Sequence, residues 1–279
     1  MGLARYTRRT LLRELSLILF AAIFCVPFYL LAAIALETTA QTYNQPLSFP
    51  WPPQLGNFSQ AWSTGGHGAL GRSLASSLII TVASVVAIIV LGSLCAYAIA
   101  RRTGRFSNLV YVLFVIGVIL PFKLAVIPLY VAMRDLGLVP SYFGMILLNT
   151  GLLLPLAVFM YTGFIRALPR DYEEAARIDG AGIVRTYSRV VFPLLAPVTA
   201  TVAVILGVIV WNEFFLALIF LNGSSYQTVP VAIYSFFGNY GERWNLIFAG
   251  IAITIVPVIA FYLFAQRRLV HGFSAGVKG

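Results

Sequence analysis

The sequence predicts an all-α membrane protein with six transmembrane helices, and three observations carry that prediction. Of the 279 residues, 60% are apolar and 10% charged, against roughly 25% charge in a soluble domain. Mean hydropathy is +0.90, which leaves too little polar surface to cover a water-soluble globule. Six apolar stretches each reach the roughly 20 helical residues that a bilayer core requires, and they lack the alternation of barrel strands. Helices fit because each satisfies its own backbone hydrogen bonds where lipid offers none. An ordinary soluble enzyme, a disordered chain and a disulfide-stapled module are all excluded.

The spans fall at 15–36, 76–100, 108–133, 142–165, 198–221 and 246–266, each ended by charge, Gly/Pro or a polar cluster. The first follows Arg5, Arg8, Arg9 and Arg13 and runs 22 residues. That is longer than the apolar core of a cleaved signal, about 7–15 residues, so it is expected to be retained. Residues 37–71 carry Pro46, Pro50, Pro52 and Pro53 and read as a capping loop within a single transmembrane domain. Residues 222–245 hold Tyr226, Tyr234, Phe236, Phe237, Tyr240 and Trp244. These rings suit an interfacial belt or a docking surface for an external partner.

Lys and Arg number 19 against 9 acidic residues, a net charge of +10. With both termini inside, 15 of the 19 basic residues lie in inner segments; the others are Arg72, Lys123, Arg134 and Arg243. The excess is therefore a topology signal, with membrane lipid as the partner and no nucleic acid implied. Cys25 and Cys95 lie in apolar stretches without a CxxC pair, and His67 and His271 have no companions. No metal site is expected, and no catalytic constellation either. The only lysines, Lys123 and Lys278, lack the Gly-rich context of a phosphate-binding loop. Energy must come from another protein or an ion gradient.

Residues 166–197 form the most charged loop, with 9 of the 28 charged residues. Pro169 opens a turn, and Asp171 is placed to cap a helix with Glu174 as its capping-box partner. Glu173 and Glu174 favour the positive end of the helix dipole. Ala175 and Ala176 allow close approach, and Asp179-Gly180 breaks the helix. A second helical piece over 183–191 is expected to end before Pro193 and Pro197. A helix of about nine residues spans about 13 Å, a length that suits a groove in a soluble partner and equally an ordinary connection.

The run Glu174-Ala175-Ala176-x-x-Asp179-Gly180-Ala181, with Pro193 and Pro197 downstream, resembles the EAA signature of bacterial ABC importer permeases. The chain as a whole is similar to carbohydrate-importer permeases of the maltose type. Pro121-Phe122 with Pro128-Leu129-Tyr130, Trp211-Asn212-Glu213-Phe214 and the tail from Gly272 to Gly279 carry that likeness. Arg72-Ser73-Leu74 departs from it, since family members often show Asn-Ser-Leu. The resemblance implies a type I ABC importer permease fold in the bacterial inner membrane, multi-pass, with both termini cytoplasmic. It implies half of a sugar translocation pathway rather than an enzyme. The partners would be a second homologous permease, a dimer of cytoplasmic ATPase subunits and an extracytoplasmic sugar-binding protein. ATP and Mg would belong to the ATPase, with no cofactor in this chain. Glu173, Glu174, Ala175, Ala176, Asp179, Gly180 and Ala181 would form the ATPase contact, joined by the tail residues Gly276 and Lys278.

Four polar residues interrupt the apolar spans: Lys123, Asn149, Asn212 and Glu213. Such groups face a cavity or a partner, because lipid exposure is costly, and they would line a path for a hydroxylated solute. Snorkelling would equally account for Lys123, and a helix–helix hydrogen bond for Glu213. A Lys123–Glu213 ion pair would instead suit an ion-coupled secondary transporter.

Overall fold

The computed structural model describes residues 8–45, 48–63, 70–239 and 243–275, and among them every regular element is helical. The expected tail contacts Gly276 and Lys278 lie outside the described residues. Helix α1 (Arg8–Leu36) runs through Pro27 without a break. It is followed by α2 (Thr39–Asn44), which starts on a capping box between Thr38 and Gln41, and by α3 (Gly56–Ser63). Next come α4 (Leu70–Arg101), α5 (Arg105–Ile119), a 3-10 turn at Phe122–Ala125 and α6 (Val126–Asp135). Helix α7 (Tyr142–Ala167) is capped by Ser141, whose hydroxyl accepts from the Gly144 N–H. The charged loop contains α8 (Asp171–Ile178) and α9 (Ile183–Thr186). A π-helical turn at Tyr187–Val191 leads into α10 (Phe192–Leu194) and α11 (Ala196–Trp211). The chain ends with α12 (Phe215–Leu221), α13 (Val229–Asn239) and α14 (Trp244–Ala275).

Six uninterrupted spans were expected, and the structure corrects two of them. Among the described residues, three helices are long and apolar enough to cross a bilayer: Thr10–Leu36, Leu70–Arg101 and Tyr142–Ala167. The third expected span is a pair, Arg105–Ile119 with Phe122–Asp135, bent by 83°. The cause is Pro121. A residue before proline is driven out of the helical region, and Leu120 is accordingly extended at φ −62, ψ 129. A second pair, Ile183–Leu194 with Ala196–Trp211, is bent by 71° just ahead of the expected fifth span, and up to five crossings result if each pair is one span. The fifth span also stops at Trp211 instead of running to 221, and α12 follows as a separate helix. The apolar part of α14, Trp244–Ala260, is shorter than a full span.

The second helical piece does not end before Pro193; it continues to Leu194. Proline in a helix removes an N–H and crowds the carbonyl four residues back. Here the preceding turn is widened to π-helix over Tyr187–Val191, which relieves that crowding.

The chain divides into two compact units. One comprises Met1–Leu70 with Ile233–Val256, the other Gly71–Ala232 with Pro257–Gly279. In the first, Ala35, Ala61, Phe236, Ile247 and Ala249 form a small core. A buried polar chain runs beside it: Asn57 Nδ2 donates to the carbonyls of Ala35 and Glu37, and Asn245 Nδ2 donates to Asn57 Oδ1. In the second unit one core gathers Val126, Met145, Leu148, Val210 and Phe220, and another Ile88, Ala157, Tyr161, Leu195 and Leu206. The close approach of α4 to α7 rests on Gly92, where a Cβ would stand 3.0 Å from the Ala157 Cβ.

Candidate functional site

Helix α8 does not begin on the expected cap. Its N-cap is Arg170, at φ −75, ψ −17, with no side-chain hydrogen bond. A capping side chain needs an extended backbone. The turn after Pro169 instead delivers Arg170 already helical, so Asp171 is the first residue of the helix and no capping box with Glu174 forms. The dipole arrangement holds nonetheless, with Asp171, Glu173 and Glu174 in the first turn and Arg177 in the last, each charge opposing the end it sits at.

The far end closes on Gly180. The Gly180 N–H reaches the Arg177 carbonyl at 3.0 Å, and the Ala181 N–H reaches Ala176 at 2.9 Å. This is a Schellman closure, which requires a left-handed residue, and Gly180 has φ 79. Two short helices, α8 and α9, are thereby joined by a tight turn at the tip of the loop.

Adjacent residues on α8 face opposite ways. Glu173 is 4% exposed and Ala176 is buried, whereas Glu174, Ala175, Asp179 and Gly180 are exposed and Ala181 is half-buried. Both Glu173 oxygens are engaged within the chain. Arg101 Nε donates to Oε1 at 2.6 Å and the Tyr97 hydroxyl to Oε2 at 3.0 Å. Arg101 Nη2 also donates to the Leu168 carbonyl at 3.2 Å. Glu173 thus faces its own α4, and the outward face of α8 carries Glu174, Ala175 and Ile178. Three large aliphatic side chains stand bare here, with Ile178 86%, Ile183 73% and Val184 80% exposed. Sequence reading missed them; their signal was aliphatic residues inside the most charged segment of the chain.

The polar residues of the apolar spans lie mostly at the helix breaks. Lys123 is in the 3-10 turn at the 83° bend, exposed, with Nζ 5.7 Å from the centre of the Phe215 ring. Asn212 and Glu213 lie between α11 and α12. Asn212 Nδ2 donates back to the Val208 carbonyl at 2.8 Å, and Glu213 Oε1 accepts from the Leu216 N–H at 2.8 Å, which caps α12. Lys123 and Glu213 form no ion pair; among the described residues the recorded ion pairs are Arg101–Glu173 and Arg134–Asp135. Asn212 lines a cavity of about 120 Å³ with Trp211 and Thr81. A larger one of about 600 Å³ opens at the other break, against Pro121, Phe122, Gly151 and Pro155. Asn149 is buried in α7, and its Nδ2 has no hydrogen-bond partner. No group of metal-ligating side chains occurs among the described residues.

Residues 88–274 match the family model of the binding-protein-dependent transport system inner membrane component. The melibiose/raffinose/stachyose import permease protein MelC of Bacillus subtilis (strain 168) is 36% identical over 97% of this chain and 99% of its own. The probable starch degradation products transport system permease protein AmyC of Thermoanaerobacterium thermosulfurigenes is 32% identical over 97% of each. Among solved structures, a bacterial ABC transporter involved in the import of the acidic polysaccharide alginate matches at TM-score 0.75 and 21% identity. The match covers 95% of this chain and 99% of that one, and it shows a shared fold. An all-α, membrane-spanning architecture of this kind, matched from end to end by transport permeases, places the chain in the family of binding-protein-dependent transport system inner membrane components: it is a transport permease and not an enzyme.

Proposed function

We propose that this permease forms half of the translocation pathway of an ATP-driven carbohydrate importer. It would sit in the bacterial inner membrane with six crossings, each bent pair counted as one, and both termini cytoplasmic. Its partners would be a second homologous permease, a dimer of cytoplasmic ATPase subunits that bind the ATP and Mg, and an extracytoplasmic sugar-binding protein. The carbohydrate class is supported by relatives named for melibiose, raffinose and stachyose, for starch degradation products and for diacetylchitobiose.

The observation that carries the coupling half of this reading is the projecting loop. Ile178, Ile183 and Val184 are bare on a segment that also carries Arg177 and Arg185. Apolar side chains exposed within a charged rim mark a surface that a protein partner covers. In this reading Glu174, Ala175, Asp179, Gly180 and Ala181 contact the ATPase, while Glu173 and Ala176 hold the loop in shape from behind. The buried, unpartnered Asn149 amide, the exposed Lys123 and Asn212 and the half-buried Glu213 at the helix breaks support a solute path through these positions. An ion-coupled mechanism has no such support, because the Lys123–Glu213 pair it would use is absent.

The test is co-expression of the chain with its companion permease and ATPase. Ile183→Cys is expected to cross-link to the ATPase, and sugar uptake into vesicles is expected to need ATP. Uptake by this chain alone, or abolished by a protonophore while ATP persists, would refute the proposal.

A further inference from the structure

We propose that Ser93, Tyr97 and Arg101 form a strut that makes α4 and residues 168–187 move as one body, so that displacement of the loop's tip is delivered to α4. This rests on the coupling reading given above. The three residues are spaced i, i+4 and i+8, which places them on one face of the last two turns of α4. Each holds a different point of the loop. The Ser93 and Tyr187 hydroxyls share a hydrogen bond of 2.7 Å. Tyr97 donates to Glu173 at 3.0 Å, and its ring lies 5.2 Å from that of Tyr187. Arg101 holds Glu173 at 2.6 Å and the Leu168 carbonyl at 3.2 Å.

The attachment points bracket the tip. Leu168 precedes α8, Glu173 is in its first turn, and Tyr187 opens the π-helical turn beyond α9. The bare side chains Ile178, Ile183 and Val184 lie between them in sequence. A force applied to the tip therefore meets anchors on both sides and not a single hinge. The anchors are sheltered: the Arg101 and Glu173 side chains are 12% and 5% exposed. Charge-assisted bonds with both carboxylate oxygens occupied resist exchange with water. The π-helical turn sets the register that points Tyr187 at Ser93, and such turns recur at functional positions. Ser93, Tyr97 and Arg101 are positioning residues: each acts through its bond to the loop.

The test uses the assembled complex in liposomes, with solute uptake and ATP hydrolysis measured together. Arg101→Gln and Tyr97→Phe are each expected to lower the solute moved per ATP several-fold while hydrolysis continues. The exchange Arg101→Glu with Glu173→Arg is expected to recover part of the loss. A residue needed only for folding would lower the amount of assembled complex and leave that ratio unchanged. Wild-type ratios in both single variants would overturn the strut. Should Arg101→Gln fail to assemble, Tyr97→Phe and Tyr187→Phe decide, since both leave the Arg101–Glu173 ion pair in place: a several-fold lower ratio of solute moved to ATP hydrolysed in the assembled complex supports the strut, and wild-type ratios in both overturn it. Failure of the coupling reading is separable, because Ile183→Cys would then cross-link to no ATPase.

Discussion

Gly180 is the residue whose role follows most directly from backbone physics. Its φ of 79 lies where a Cβ adds roughly 1–2 kcal/mol. Gly180→Val is expected to loosen the Ala181–Ala176 and Gly180–Arg177 closure and to lower uptake while the chain still inserts. Its sign was legible, because Asp-Gly after a helical run has few other readings. The bare aliphatic residues were not legible, since two short helices give no periodic pattern that separates outside from inside. Nor could Glu173 be told from Glu174. Neighbours on a helix point about 100° apart, and which one turns inward is decided by Arg101, 72 positions away. Ile183→Asp is the complementary test. At 73% exposure it should alter the chain's own stability by no more than about 0.5 kcal/mol and abolish retention of the ATPase. Melting and co-purification of the same sample measure both.

At the scale of elements, hydropathy could not see where the apolar stretches bend. A window average weighs Pro121 as one more residue, whereas its ring and the constraint it places on Leu120 end α5 outright. The α11–α12 break was hidden for a different reason. Asn212 and Glu213 read as polar intrusions in a span, yet both side chains bond local backbone, offering the chain an alternative to continued helix. The α4–α7 contact is a packing feature that residue types alone did not reveal. Gly92→Leu would place a side chain where even a Cβ stands 3.0 Å from Ala157, and overpacking of this kind costs typically about 1–3 kcal/mol. Gly163→Leu, on the opposite partner α7, meets nothing within 4 Å at its Cβ and should be tolerated. A thermal unfolding comparison in one detergent distinguishes them; equal loss in both would show that helix propensity, not the contact, sets the effect.

For the molecule as a whole, charge is the feature that ties sequence to orientation. Fifteen of the 19 basic residues fall on one side only if each bent pair crosses the bilayer completely. Were α5 and α6 a re-entrant loop, the segments before and after the pair would share a side. Arg101, Arg102 and Arg105 before the pair and Arg134 after it would then lie together, and every later segment would invert. Arg166, Arg170, Arg177, Arg185 and Arg189 would move outside, against the positive-inside tendency. Single cysteines at Gly104, Leu136, Ile183 and Asn222, in a chain lacking Cys25 and Cys95, separate these arrangements with a membrane-impermeant maleimide. All four positions are exposed. Gly104→Cys and Ile183→Cys are expected to react only from the cytoplasmic side, Leu136→Cys and Asn222→Cys only from the other. If 104 and 136 react from one side, the 83° bend is a re-entrant hairpin; if 183 and 222 do, the 71° bend is one. In the first case the projecting loop would lie outside the cell, beyond reach of any ATPase, so this topology measurement bears on the transport mechanism as directly as on the fold.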